Sequence, residues 1–124
     1  NEERQDVGTM VELVDVIFST GQYLMFYEGV NKKGVHAIGL ATSRDGITWV
    51  KDTHGSHSQP GGPIFAPYSQ EQDGWDSGGI SCPHVVNVGD SLRLYYVGFD
   101  VTKKVSAFGL AISDKNNIRH FYRA

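Results

Sequence analysis

Apolar residues in this chain occur in short runs, alternating or continuous, and no stretch has the period of an amphipathic helix. Runs of this length, separated by turns rich in Gly, Asp and Asn, predict β-strands. In the first half the pattern predicts strands at 10–18, 23–27, 36–43 and 47–51. In the second half it predicts strands at 83–88, 91–99, 105–113 and 118–122.

The two halves repeat one pattern. FYEG in the first half matches YYVG in the second, and GLATS matches GLAIS, so Tyr27 corresponds to Tyr96 and Gly39 to Gly109. A copied unit of four strands favours the blades of a β-propeller. We therefore predict an all-β fold of two four-stranded antiparallel blades in an incomplete ring. One partial-propeller domain would span 1–124, with blade one at 10–52, a connecting loop at 53–81 and blade two at 82–123.

Composition narrows the class of protein. The chain has 124 residues, 40% of them apolar and 20% charged, which fits one folded globular domain. The net charge of −3 without any block of like charges argues against nucleic acid and against a polybasic membrane anchor. No apolar run approaches the roughly 20 residues of a membrane span. The single Cys82 excludes an internal disulfide and leaves the redox compartment open.

Two blades do not close a ring, because propellers have roughly four to eight. Open blade faces, such as the row Tyr23, Met25 and Tyr27, would be large apolar patches. We therefore expect a partner surface, either further blades or a homo-oligomer, to cover them.

The segment Ser43-x-Asp45-Gly46-x-Thr48-Trp49 resembles the Asp-box of sialidase propellers, one residue short. We predict a structural role for it, as a tight turn capped by Asp45 with Trp49 packed beneath.

Three stretches resemble the five-bladed propeller glycosidases, the arabinanase, levansucrase and invertase group. They are YLMFYEGV, IGLATSRDGITWVKD and GWDSGGISCPHVVNVGDSLRLYYVG. The resemblance covers most of 10–113 and implies a glycoside hydrolase-like function on an oligosaccharide. In that group, acidic residues from different blades meet at one end of the central tunnel. One carboxylic acid protonates the leaving oxygen, and another carboxylate activates water or attacks the sugar.

Asp15 is the first candidate carboxylate, because it interrupts an apolar face of the predicted innermost strand. A buried unpaired carboxylate is costly, so we expect Asp15 at the solvated axis or beside a charge partner. The resemblance gives it the position of general base or nucleophile, although Val16 stands where the group usually has Pro. The alternative is a structural Asp that accepts hydrogen bonds from strand-end amides.

Asp76 and Glu28 are the other candidate catalytic residues, and Trp75 and His84 the candidate substrate-binding ones. Asp76 follows Trp75 on a Gly-rich loop, where the indole could stack on a sugar or fill the core. His84 occupies the position equivalent to Asp15, and could bond sugar hydroxyls, tune a carboxylate or be structural. Glu28 has Val97 as its repeat partner, so the unit does not demand an acid there. Its role could be catalytic acid, ligand contact or salt bridge.

We predict no metal and no cofactor. The spacings of His54 with His57, and of Cys82 with His84, match no strong zinc pattern. Besides a hydrolase, two hypotheses stay open: a sugar-binding module without turnover, and a structural half-propeller whose role is assembly.

Overall fold

A computed structural model describes residues 10–30, 34–52, 64–67, 76–101 and 103–124, with the side chains of 10–12 left undescribed. These ranges contain eight strands. They are β1 (Met10–Ser19), β2 (Gln22–Val30), β3 (His36–Ser43), β4 (Val50–Lys51), β5 (Gly79–Val88), β6 (Ser91–Asp100), β7 (Val105–Asp114) and β8 (Tyr122–Arg123). The same ranges contain no helix long and apolar enough to cross a membrane.

The strands form two four-stranded sheets, each in sequential order: β1 to β4 in the first sheet and β5 to β8 in the second. All neighbouring strands are antiparallel. This confirms the predicted all-β fold of two four-stranded antiparallel units.

Strand registers show that the sheets are equivalent residue by residue. Asp15 pairs with Phe26 in the first sheet, and His84 pairs with Tyr95 in the second. Both first strands also shift register in overlapping positions, between 11 and 14 in β1 and between 81 and 84 in β5. The prediction that Asp15 and His84 occupy equivalent positions is confirmed.

Each sheet has two faces, because paired residues on antiparallel strands project to the same side. The front face carries the paired row Asp15, Phe26 and Leu40 in the first sheet and the row His84, Tyr95 and Leu110 in the second. The back face carries the row Val16, Met25 and Ala41 in the first sheet and the row Val85, Leu94 and Ala111 in the second.

The core lies between the front face of the first sheet and the back face of the second. Phe26 and Leu40 on one side, and Leu94 and Ala111 on the other, are all buried. Ile64, Phe65, Ile118 and Phe121 join this core from segments between strands. The whole cluster is Leu24, Phe26, Ile38, Leu40, Ile64, Phe65, Ile80, Val85, Leu92, Leu94, Tyr96, Ala111, Ile118 and Phe121. The two sheets therefore share one core instead of each having its own.

Both fourth strands are shorter than predicted. The strand predicted at 47–51 is only Val50–Lys51, because the preceding residues form a turn held by Asp45. The strand predicted at 118–122 is replaced by Tyr122–Arg123, and the residues before it bend so that Ile118 and Phe121 enter the core.

The Asp45 turn has its predicted form. Asp45 Oδ1 accepts hydrogen bonds from the amides of Ile47 at 2.8 Å and Thr48 at 2.9 Å, and from Ser43 Oγ at 2.9 Å. The Thr48 amide, followed by that of Ile47, lowers the pKa of Asp45. Trp49 packs against a small buried cluster that includes Tyr27.

Part of the predicted connecting loop adds backbone hydrogen bonds to the first sheet. The Ile64 amide donates to Ile38 O at 2.9 Å, and the Ile38 amide donates to Phe65 O at 2.9 Å. Ala66 packs beside Tyr27, so that ring is buried, in contrast to the open row expected there. Residues 53–63 and 68–75 of this loop lie outside the described residues, and Gly79–Ser81 belongs to β5.

The shared core predicts one cooperative unfolding transition for both sheets. Leu24→Ala in the first sheet and Leu94→Ala in the second should each lower the free energy of unfolding by about 2–5 kcal/mol, because each empties a fully buried site. Denaturant unfolding followed by circular dichroism measures this. The exposed turn substitution Ile47→Ala should change stability by no more than about 0.5 kcal/mol. Two separate transitions, each sensitive to one substitution, would contradict a common core.

Candidate functional site

A groove opens where the end of β2 and the start of β3 meet the start of β5. Its volume is about 350 Å³. The polar groups lining it include Glu28, His36, Ser81 and Ser106, and Phe99 supplies an aromatic wall. A cavity of this size with a few converging polar groups is typical of a small-ligand site.

Glu28 is the central acid of this groove and is only 2% exposed. Its Oε2 lies 2.5 Å from His36 Nδ1, and its Oε1 accepts a hydrogen bond from the Cys82 amide at 3.2 Å. A carboxylate can only accept, so the contact with His36 places the proton on Nδ1 when Glu28 is ionised. In the neutral ring Nε2 then becomes the acceptor.

The backbone of β5 is distorted where it meets Glu28. Cys82 has φ = 55°, in the left-handed region that residues other than Gly seldom adopt. It lies inside the register shift between Ser81 and His84, and its side chain is exposed. The bulge therefore directs the Cys82 amide to Glu28 at the cost of local strain.

Gly78 allows the groove wall to close. A Cβ at this position would clash with the Phe99 ring, and the Gly78 amide donates to Phe99 O at 2.8 Å. Only a residue without a side chain fits this approach without displacing Phe99.

Asp15 lies on the other side of the same bulge. Its Oδ2 accepts a hydrogen bond from the Val85 amide at 2.7 Å and lies 3.6 Å from His84 Nδ1. Asp15 is partly exposed and His84 mostly exposed, so both reach solvent. From the sequence we expected Asp15 beside a charge partner or bonded to strand amides. The structure has both, with His84 as the partner and Val85 as the amide donor.

Asp15 and Glu28 share the front face of the first sheet. Asp15 is paired with Phe26, and Glu28 is two residues further along β2. Residues in this diagonal relation usually lie about 7–8 Å apart. The structure thus brings Asp15, His84 and Glu28 to one junction between the sheets.

Asp76 has a different environment. It is fully buried, and Arg123 binds both of its oxygens, with Nε 3.0 Å from Oδ2 and Nη2 3.3 Å from Oδ1. Tyr96 donates its hydroxyl to Oδ2 at 3.2 Å. Arg123 also donates to Ala66 O at 2.6 Å. These contacts tie β8 to the start of β5 and favour a structural role for Asp76.

Burial of the phenol raises the pKa of Tyr96 from 10.0 to about 12, and the neighbouring Asp76 charge adds to the shift. Tyr96 therefore remains a neutral donor to Asp76 up to strongly alkaline pH.

Sequence reasoning missed two partners, His36 and Arg123. His36 opens β3 opposite Val30, two residues from Glu28, so hairpin pairing could have placed it near that acid. No local signal connects Arg123 with Asp76.

Trp75, the expected sugar-stacking residue, lies outside the described residues. In the part of the chain that is described, no group of three or more His, Cys, Asp or Glu could hold a metal ion.

The fold is one that solved glycoside hydrolases also have. A candidate glycoside hydrolase from Parabacteroides distasonis matches with a TM-score of 0.70 and 20% identity, over 91% of this chain and 31% of that one. A second glycoside hydrolase matches with a TM-score of 0.65 and 16% identity, over 90% of this chain and 29% of that one. BT0996, in a complex named for RGII, matches with a TM-score of 0.63 and 18% identity, over 91% of this chain and 31% of that one.

This chain therefore spans about three tenths of the length of these structures. No protein-family model matches it, and a search of curated proteins found no match. At these identities the similarity establishes the fold and the resemblance to a glycosidase-like group of structures.

The raised pKa of Tyr96 predicts an alkaline loss of stability. The folded state retains the phenolic proton that the unfolded chain loses near pH 10, so this contribution is complete below about pH 10 and disappears as the pH rises to about 12. Urea midpoints measured upward from about pH 9 should fall less steeply in Tyr96→Phe than in the unsubstituted chain. Parallel curves would show that Tyr96 has an ordinary pKa.

The Asp76–Arg123 pair predicts a large cost when the cation alone is removed. Arg123→Met should destabilise the fold by about 3–5 kcal/mol, because Asp76 keeps a buried charge without its main partner. The double variant Asp76→Asn with Arg123→Met should recover much of that loss. Thermal or urea unfolding measures both. A single variant that costs less than about 1 kcal/mol would rule out this account of the pair.

Proposed function

We propose that this chain carries part of a glycoside hydrolase-like site that acts on an oligosaccharide through Asp15 and Glu28. The observation that carries the proposal is the buried Glu28 carboxylate in the groove, with Asp15 on the same face of the sheet. The similarity to solved glycoside hydrolases supports it through the fold alone.

Glycoside hydrolysis needs a proton donor for the leaving oxygen and a carboxylate that activates water or attacks the sugar. Glu28 and His36 are close enough to share a proton, so Glu28 is our candidate for the acid. Asp15 is more exposed and close to solvent, which suits the base or nucleophile. In the proposed site His84 would bond sugar hydroxyls beside Asp15, and Trp75 would stack on a sugar ring.

The saccharide class is supported by the size and lining of the groove. Its hydroxyl groups from Ser81 and Ser106 and its Phe99 ring match the mixed polar and apolar surface of a sugar. The RGII complex of BT0996 adds support from a protein of similar fold. We place the site in one partial-propeller domain, whose ring would be completed by other blades.

A second function, sugar binding without turnover, is favoured by one specific observation. Both proposed carboxylates accept main-chain amides of β5, Asp15 from Val85 and Glu28 from Cys82. These bonds hold the two sheets together and use acceptor positions that a reacting group would otherwise offer to substrate.

Activity assays and binding measurements distinguish these functions. A hydrolase should release product from a panel of aryl glycosides and oligosaccharides, and Asp15→Asn or Glu28→Gln should each lower the rate by about 10²–10⁴-fold. Asp90→Asn, an exposed turn substitution, should leave the rate unchanged. Chemical-shift changes at Gly34, Gly79 and Ser81 on adding oligosaccharide, without product, would indicate a binding module. A chain that shows no turnover and no shifts would refute a saccharide site.

A further inference from the structure

Of the acid and the histidine that are paired in the groove, the histidine is the one that reaches solvent. The Glu28 side chain is 2% exposed, whereas that of His36 is 35% exposed. When Glu28 is ionised, each of its oxygens already accepts a hydrogen bond, Oε2 from His36 Nδ1 at 2.5 Å and Oε1 from the Cys82 amide at 3.2 Å. A saccharide in the groove would therefore meet the imidazole before it meets the carboxylate.

The backbone around His36 is held on two sides. His36 is the first residue of β3 and pairs with Val30 at the end of β2. Gly79 of β5 packs on it, because a Cβ at Gly79 would lie only 3.6 Å from both the Cβ and the backbone N of His36. Gly79 has φ = 140°, a conformation that favours glycine. The strands therefore fix the position of His36, and Glu28 fixes the direction of its ring.

The second sheet has the same strands without this pair. By strand register, Val97 is the equivalent of Glu28, and Ser106 is the equivalent of His36. All four residues line the groove. The strand pairing of the unit therefore does not depend on a carboxylate and an imidazole in contact, and the pair occurs on one side of the groove only.

We propose that His36 is the group that hands the proton to the leaving oxygen and that Glu28 positions its ring, an inference that rests on the proposed glycoside hydrolysis. Glu28 then acts as the acid only through His36. A carboxylate bound to Nδ1–H sets the tautomer and orientation of an imidazole, so that the transferred proton is the one on Nε2.

The proton and electron balance of the step closes on groups at the site and on water. The glycosidic C–O bond breaks with its electron pair on the leaving oxygen, which takes the Nε2 proton of the His36 imidazolium. With Asp15 as the base, water adds its oxygen to the anomeric carbon and loses a proton to Asp15. The neutral ring keeps its Nδ1 proton on Glu28. Asp15 and His36 are both partly exposed, so the first returns its proton to solvent and the second takes one up.

Glycosides whose leaving groups differ in acidity test this assignment. A phenyl glycoside needs protonation of its leaving oxygen, whereas a dinitrophenyl glycoside departs as a stable anion. His36→Gln retains an amide that can donate to Glu28 but cannot carry the proton. It should lose about 10²–10⁴-fold in rate on the phenyl glycoside and little on the dinitrophenyl glycoside. His36→Ala should behave alike, and added imidazole should restore part of its rate. Imidazole should not rescue Glu28→Gln, whose own ring is still in place.

His120→Gln is the matched control, since it makes the same change at an exposed histidine outside the groove. It should cleave both glycosides at the unsubstituted rate, and circular dichroism confirms that every variant folds. If His36→Gln cleaves the phenyl glycoside as fast as the unsubstituted chain, or loses equally on both glycosides, His36 is not the proton donor and the inference is overturned while hydrolysis stands. An unsubstituted chain that cleaves neither glycoside would overturn the proposed hydrolysis itself, and this inference with it.

Discussion

The packing of the first sheet's front face on the second sheet's back face is the interaction on which the rest of the structure depends. It buries most of the fully buried apolar side chains of the described residues, since the main core cluster lies between these two faces. Glu28 and Asp15 lie on the same front face, and each accepts an amide of β5. The candidate site is therefore built into the interface and cannot form unless the sheets pack.

The bulge in β5 explains how one strand serves both carboxylates. A regular strand would continue its alternation through Cys82 and Pro83, whereas the register shift and the positive φ of Cys82 reorient the amides between Ser81 and Val85. Backbone strain of this kind persists only where surrounding contacts maintain it. Here those contacts are the hydrogen bonds from the Cys82 and Val85 amides to the Glu28 and Asp15 carboxylates. The strained backbone and the two acids therefore lie in direct contact.

Local pattern was enough to predict most of the fold. Alternation and turn residues placed β3 at its observed bounds, because the strand period is a local signal. The repeat gave Asp15 and His84 equivalent positions, because the two sheets are copies of one unit. Local pattern failed where distant segments meet. The apolar run around Ile118 and Phe121 reads as a strand, but those side chains fill the core from a bend. The contacts of Glu28 with Cys82 and of Asp76 with Arg123 likewise join residues far apart in the chain.

The differences between the two sheets are more informative than their similarity. Val97 occupies the second sheet's equivalent of Glu28, beside the same groove, so the fold does not require an acid at that position. His84 likewise stands where the first sheet has Asp15. A buried carboxylate lowers stability unless its hydrogen bonds compensate. The first sheet has these two acids where the second sheet has Val97 and His84, and both acids face the junction that contains the groove. Both acids accept main-chain amides of β5 there, so the packing of the two sheets gives one reason for this distribution, and a ligand in the groove would give a second.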